Sequence, residues 1–203
     1  MTVRVRRASV VAAGAVLAGL LAAPGAAPVA AGSPASASVP GCSSPDQPFT
    51  PRTITIPRVV GATRVLALGR DRNGVPRTPP LTDRGKWQFG WDKLSHIRPG
   101  SAHGVVRLNA HTYPRDGSYG LALGNRLLSK LRKGALLVAK GATGQRLCYR
   151  VTRQLQVKAS QSVPAYYDDG GPPQLAILVC SGVRRGPGDW SHRTIWFASP
   201  VGG

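Results

Sequence analysis

From Thr53 onward, short segments in which apolar and polar residues alternate dominate the sequence. In "HGVVRLNAH" (103–111), positions alternate between an apolar face and a face that carries Arg107, Asn109 and His111. A period of two is typical of a β-strand with one buried face. We predict further strands in "TITIP", "ATRVLALG", "ALLVAKG", "QRLCYRVTRQLQVKA", "QLAILVC" and "RTIWFA".

A single segment, "LALGNRLLSKLRKG", has the spacing of an amphipathic helix. Its Leu123, Leu127 and Leu131 repeat every four residues and therefore lie on one helix face, and Gly134 is a typical residue for the helix end. The segment "RDRNGVPRTPP" (70–80) contains an Asn-Gly pair and prolines and is predicted to be a loop. Many short strands with one or two short helices indicate a mainly β fold, a closed or nearly closed β-barrel.

The first 37 residues differ in composition from the rest of the chain. Arginines near the start precede an apolar stretch from Ala8 to Ala23, and small residues follow at 35–37. This arrangement is typical of a signal peptide; an uncleaved signal anchor is the alternative, because the apolar run is close to the length that spans a bilayer. Residues 38–51, rich in Pro, Ser and Gly, form a predicted linker to a folded domain at 52–203. We therefore expect the domain to lie outside the cytoplasm, at the cell surface, either secreted or membrane-anchored.

The charge balance narrows the range of functions. The chain of 203 residues has 27 Lys and Arg against 8 acidic residues, all of them Asp, and a net charge of +19. With so few carboxylates, a mechanism based on paired acids or a hard-metal site has few available groups. No C-x-x-C motif and no histidine pair at ligand spacing is present, so we expect no metal and no cofactor. Because the basic residues are scattered, an anionic wall polymer or membrane surface is the expected partner rather than nucleic acid.

An odd number of cysteines, three, leaves one thiol over if the other two form a disulfide. Alternation along "QRLCYRVTRQLQVKA" puts Cys148 on a polar face, opposite an apolar face formed by Leu147, Tyr149, Val151, Leu155 and Val157. From a polar face Cys148 can reach Cys42 in the linker. We therefore predict a Cys42–Cys148 disulfide; two unpaired thiols are the alternative, because bridge geometry cannot be read from a sequence.

The third cysteine, Cys180, follows an apolar run and precedes Ser181 and Gly182. We predict that the strand ends at Cys180 and presents the thiol at a rim of the barrel. Positive charge favours the thiolate, which is the reactive form, and three arginines lie nearby in the sequence: Arg184, Arg185 and Arg193. The alternative interpretation is a buried core cysteine, a common environment for a thiol.

A thiol that attacks an amide needs a proton donor for the departing amine and hydrogen-bond donors for the oxyanion. His111 ends an apolar strand, as Cys180 does, whereas His96 and His103 lie in a Pro/Gly/Ser-rich stretch that looks solvated. Two strands that end at one rim can bring a thiol and an imidazole together. A strand that begins at Arg193, paired beside the strand of Cys180, would bring a guanidinium to the same rim.

These residues lie in motifs that resemble those of the sortases, and most closely of the class F sortases of Gram-positive bacteria with high G+C genomes. The resemblance covers roughly Arg52 to Pro200 and is carried by "LNAHTY" around His111, "LAILVC" ending at Cys180 and "WSHRTIWFA" around Arg193. It implies a closed eight-stranded β-barrel and a cysteine transpeptidase. In such an enzyme Cys180 is the nucleophile, His111 is the general acid and base, and Arg193 is the donor to the oxyanion and the bound peptide.

The resemblance also implies the partners of the reaction. The substrate would be an exported protein with a C-terminal LPxTG-like sorting signal, whose carbonyl before the scissile bond is attacked by the thiolate. An amine from peptidoglycan or from its lipid-linked precursor would then resolve the thioester.

The chain departs from the family pattern immediately before the cysteine. Sortases carry Thr-Leu-x-Thr-Cys, whereas Val179 stands here in place of the last Thr, and we expect the missing hydroxyl to affect substrate recognition or rate. An L,D-transpeptidase-like wall enzyme is an alternative, but it would carry His two residues before the nucleophile, where Leu178 stands. A non-enzymatic cationic wall-binding module and a catalytically slow sortase relative are the further alternatives.

Overall fold

The computed structural model describes residues 41–114 and 120–202; the predicted signal segment at 1–37 lies outside these ranges. The described chain forms eight strands and one α-helix: β1 (Thr53–Ile56), β2 (Val60–Leu68), β3 (Phe89–Asp92), β4 (Val105–Ala110), α1 (Leu123–Lys130), β5 (Leu136–Lys140), β6 (Arg146–Lys158), β7 (Gln174–Gly186) and β8 (Asp189–Val201). In the part described, no helix has both the length and the apolar character needed to cross a membrane.

The strands close into a barrel in the order β1-β2-β3-β4-β7-β8-β6-β5, with β5 paired to β1. This confirms the predicted mainly β fold with a closed eight-stranded barrel. Two neighbouring pairs are parallel, β2 with β3 and β4 with β7, and the other pairs are antiparallel. Because β4 and β7 run in the same direction, their C-terminal ends lie at the same end of the barrel.

Alternation along the strands separates an inner from an outer apolar cluster. The inner cluster fills the barrel and contains, among others, Val106, Leu108, Ala110, Leu175, Ile177, Val179 and Trp196. The smaller outer cluster covers the other face of β4, β7 and β8 and contains Val105, Tyr166, Ala176, Ile195 and Phe197. The loop between β6 and β7 (residues 159–173, the β6–β7 loop) supplies Tyr166 and shields this outer face from water.

Local details differ from the sequence-based predictions. Strand β3 had not been predicted, because "FGWD" is short and buried along its whole length, so it shows no alternation. Helix α1 ends at Lys130, and Gly134 instead adopts a φ of 87° in the turn before β5.

The single face predicted for the apolar residues of β6 is wrong, because a bulge between Val151 and Arg153 reverses the alternation. Leu155 consequently packs on the outer cluster.

The prediction that a strand ends at Cys180 is also wrong. Strand β7 continues to Gly186 and pairs with β8 in a hairpin, with irregular register between Ser181 and Arg184. The thiol is therefore partly buried on the outer face of the barrel wall rather than exposed at the end of a strand. Bulges beside a site commonly redirect side chains where pairing would otherwise be regular.

A disulfide joins Cys42 to Cys148, with the two Cα atoms 5.5 Å apart. It fastens the segment before β1 to β6 across a sequence separation of 106 residues. Cys148 is fully buried. Closing a loop of this length restricts the unfolded chain strongly.

We expect the C42A/C148A variant to lose about 2–5 kcal/mol of unfolding free energy, because the unfolded chain regains the conformations that the bridge forbids. Guanidinium denaturation of the oxidised parent and the variant measures the difference. Cys180→Ala is the matched control, since it removes a thiol without opening a bridge. Equal stability of the parent and C42A/C148A would contradict this role of the disulfide.

Candidate active site

Three adjacent strands bring His111, Cys180 and Arg193 into one row. Strand β4 pairs in parallel with β7 up to Ala110 opposite Val179, and continuing this register by one residue sets His111 beside Cys180. Strand β8 pairs antiparallel with β7 and sets Arg193 directly opposite Cys180. Residues opposite one another on neighbouring strands project to the same face, and the strands lie about 4.8 Å apart. The imidazole, thiol and guanidinium therefore project from one face at the same level.

That face is the outer one, as the alternation of each strand shows. Val179, the neighbour of Cys180 on β7, is fully buried in the inner cluster, so Cys180 projects outward. Val179 therefore cannot touch a peptide bound beside the thiol. The expected influence of the missing hydroxyl on recognition could act only through the core.

Helix α1 and the side chain of Thr112 hold the backbone at the C-terminal end of β4 in place. The backbone N–H of Gly124 donates to the carbonyl of His111 over 3.1 Å, and any side chain at Gly124 would collide with that carbonyl. The Asn125 amide binds both backbone groups of Tyr113, accepting from its N–H at 3.1 Å and donating to its carbonyl at 3.0 Å. The Thr112 hydroxyl donates to the carbonyl of Cys180 over 2.6 Å and ties β4 to β7 at this level. These bonds fix the backbone on both sides of His111.

A groove of about 440 Å³ lies on the outer face, and of the row it is Arg193 that lines it. Leu178, Arg193 and Ile195 line it from the barrel, and Val163 and Tyr167 line it from the β6–β7 loop. Val75, from the loop between β2 and β3 (residues 69–88, the β2–β3 loop), lines it as well. Most of its lining side chains are apolar, and Arg193 and the polar residues Ser160, Gln161 and Ser162 complete the lining. A groove of this kind suits an extended peptide with apolar side chains.

Comparison with solved structures identifies the fold. The chain superposes on sortase C1 from Streptococcus suis with a TM-score of 0.53 and 15% identity, covering 76% of this chain and 74% of that one. For sortase C-1 from Actinomyces oris the TM-score is 0.53 and the identity 18%, with 74% of this chain and 73% of that one covered. For sortase C from Streptococcus pneumoniae the TM-score is 0.53 and the identity 14%, with 75% of this chain and 69% of that one covered. No protein-family model and no curated protein matches the chain. The chain has the sortase fold.

Within this sortase fold, the hydrogen bond of His111 fixes its neutral tautomer. Its Nε2 lies 2.6 Å from the carbonyl oxygen of Pro79 in the β2–β3 loop. A carbonyl can only accept, so Nε2 must carry the proton. In the neutral imidazole Nδ1 is then the nitrogen that can take up a proton.

Burial opposes charge on both the thiol and the imidazole. Burial raises the pKa of Cys180 above its ordinary value of 9.0, and the nearby positive charge of Arg193 offsets this in part. Burial likewise lowers the pKa of His111 below 6.5, against the opposing effect of its bond to Pro79. The expectation that nearby arginines make Cys180 a ready thiolate is therefore corrected: only Arg193 favours the thiolate, and burial outweighs it. Near pH 7 both groups are mainly neutral.

Arg193 is held by its own strand. Its Nη1 donates to the carbonyls of Trp190 and His192, at 3.2 and 3.0 Å. Among the hydrogen bonds between described residues, none engages its Nε or Nη2. These two nitrogens can donate to a ligand beside Cys180.

Several contributors to the site were missed by sequence reasoning. The Pro79 carbonyl is a backbone group in a proline-rich loop. Every residue has such a carbonyl, so the sequence gives no signal for this contact. The groove residues Val75, Val163 and Tyr167 lie in loops without periodicity. Within the described ranges, no three or more His, Cys, Asp or Glu side chains gather as metal ligands.

Alkylation of Cys180 tests the electrostatics directly, because the other two cysteines form the disulfide. We expect the rate with iodoacetamide to rise with pH to a midpoint above 9.0, since only the thiolate reacts and burial raises the thiol pKa. Arg193→Gln should move the midpoint higher, because it removes the charge that lowers this pKa.

Arg184→Gln is the matched control, since it removes an arginine that contributes no comparable effect to Cys180. Its midpoint should equal that of the parent. A parent midpoint below 9.0, or equal shifts in the two variants, would contradict this description of the site.

Proposed function

We propose that the chain is a cysteine transpeptidase of the sortase type, related to class F, that acts outside the cytoplasm. The observation that carries the proposal is the row of His111, Cys180 and Arg193 beside an apolar groove. A thiol, an imidazole and a guanidinium on one face supply the nucleophile, the proton carrier and the oxyanion donor that acyl transfer needs.

The substrate we propose is an exported protein with an LPxTG-like sorting signal. The branched aliphatic residue of such a signal would lie in the groove between the β6–β7 and β2–β3 loops. The carbonyl before the scissile bond would then lie between Cys180 and Arg193.

Acylation begins with proton transfer from the Cys180 thiol to Nδ1 of His111. The thiolate attacks the carbonyl carbon, and Arg193 donates to the oxygen that becomes negative. The tetrahedral intermediate collapses when the C–N bond breaks and His111 returns its proton to the departing amine. The product is a thioester on Cys180 and a free amine.

Deacylation reverses these roles. An amine from peptidoglycan or its lipid-linked precursor attacks the thioester, and His111 takes a proton from it. The C–S bond breaks, the new amide forms, and the thiolate regains the proton from His111. The Pro79 carbonyl keeps the imidazole in one orientation through both halves of the reaction.

Substitution of the three residues tests the proposal. Cys180→Ala should abolish cleavage of a quenched LPxTG-type peptide, because no thioester can form. His111→Ala and Arg193→Ala should each lower kcat/KM, and loss of an oxyanion donor costs about 10²–10³-fold. Thermal melting of each variant shows whether the fold is retained, and His192→Ala is a control from the neighbouring position on β8.

A folded Cys180→Ala protein that cleaves as fast as the parent would exclude the thioester mechanism. A parent protein that cleaves no sorting peptide would instead favour the cationic wall-binding module.

The pH dependence of kcat/KM should be a broad bell. Activity requires one proton shared by Cys180 and His111, so it falls when both are protonated and when both have lost their protons. Burial moves the two limbs of the pH profile apart, so the acidic limb should lie below pH 6.5 and the basic limb above pH 9.0. Steady-state kinetics across this range measure both limbs. A narrow bell with both limbs between 6.5 and 9.0 would contradict the electrostatic description.

A further inference from the structure

The outer face of β4 binds both loops that line the groove. Arg107, Asn109 and His111 alternate along this face, and each donates to loop carbonyls. His111 and Asn109 bind the β2–β3 loop, through the carbonyls of Pro79 at 2.6 Å and Arg77 at 3.1 Å. Arg107 binds the opposite wall, the β6–β7 loop. The strand that presents the imidazole thus also holds the two sides of the groove.

Arg107 uses its whole guanidinium for this attachment. Its Nε donates to the carbonyl of Tyr166 over 2.9 Å, and its Nη2 donates to the carbonyl of Tyr167 over 2.8 Å. Nη2 also forms an ion pair with Asp169 of the same loop. Three contacts from one planar group therefore fix the short helical turn Pro164–Tyr166 and the residue after it.

The positive charge of Arg107 is paired with the carboxylate of Asp92, at the end of β3. Nη1 of Arg107 lies 3.1 Å from the Asp92 carboxylate, and both side chains are essentially inaccessible, at 1% and 0% exposure. Arg70 pairs with the same carboxylate at 2.7 Å. Asp92 therefore remains paired when Arg107 is changed, and its carboxylate is not left as a lone buried charge.

We propose that Arg107 is a positioning residue that holds the β6–β7 wall of the groove and thereby sets the affinity for the apolar part of the substrate peptide. This inference rests on the proposed function for its substrate and on the contacts above for its geometry. Lysine cannot replace arginine here, because a single ammonium cannot donate to two carbonyls and a carboxylate in the geometry of a planar fork.

Hydrogen exchange, read by mass spectrometry, tests the attachment independently of activity. In Arg107→Lys, the amides of the β6–β7 loop should exchange about tenfold faster or more, because bonds from a charged donor are lost. Asn109→Leu is the matched control, since it removes a donor from the same face of β4. It should accelerate exchange in the β2–β3 loop and leave the β6–β7 loop unchanged. Unchanged exchange at Tyr166 and Tyr167 in Arg107→Lys would overturn the attachment.

Peptide kinetics test the effect on binding. Arg107→Lys should raise KM for an LPxTG-type peptide by about tenfold, with kcat changed much less, because the wall contributes binding rather than chemistry. The alkylation rate of Cys180 should stay at the parent value. Asp169→Asn is a milder variant, since that side chain is 55% exposed, and should raise KM less; it keeps the test available if Arg107→Lys does not fold.

The outcomes separate this inference from the proposed function. A loosened loop with unchanged KM, or a fall confined to kcat, would overturn the positioning role and leave the transpeptidase intact. A parent protein that cleaves no sorting peptide would remove both the proposed function and the binding role, whereas the exchange data would still decide the attachment.

Discussion

The register of β4, β7 and β8 is the constraint on which the candidate site depends. Side chains alternate along a strand, so a slip of one residue would turn Cys180 or His111 into the barrel and expose core residues instead. The register is kept by the inner face, where Leu108, Ile177 and Trp196 are buried. The same strand pairing therefore has two results. It produces the apolar packing that stabilises the barrel, and it aligns the thiol, the imidazole and the guanidinium.

The burial of Cys180 and His111 opposes the ionisation that would make the thiol reactive. Burial of Cys180 and His111 favours their neutral forms, so the ion pair of thiolate and imidazolium is a minor population of the resting protein. Arg193 counteracts this for the thiol. Its Nε and Nη2 form no hydrogen bond within the described part of the chain, so in the proposed reaction they can donate to the oxyanion. A neutral resting thiol is also less prone to oxidation, which proceeds through the thiolate.

The sequence was sufficient to predict the barrel, because the alternation in β4, β7 and β8 is a local signal. The motifs around His111, Cys180 and Arg193 are local signals as well, and they selected the three residues that the strand register aligns; their catalytic roles stay a prediction. Contacts between segments that are distant in the sequence could not be predicted from it. The bulge in β6 reverses a face without any change of residue type, and the continuation of β7 past Cys180 depends on its pairing with β8. The attachments of Arg107 and the Pro79 carbonyl likewise exist only once the loops are folded against β4.

The most direct test of the account is the mass of the protein quenched during turnover of an LPxTG-type peptide. We predict an adduct whose mass equals that of the peptide fragment ending at the scissile bond. It should be labile to hydroxylamine, as a thioester is, and should map to the segment that contains Cys180. An adduct on another residue, or cleavage with no covalent adduct under conditions in which a thioester survives, would contradict it.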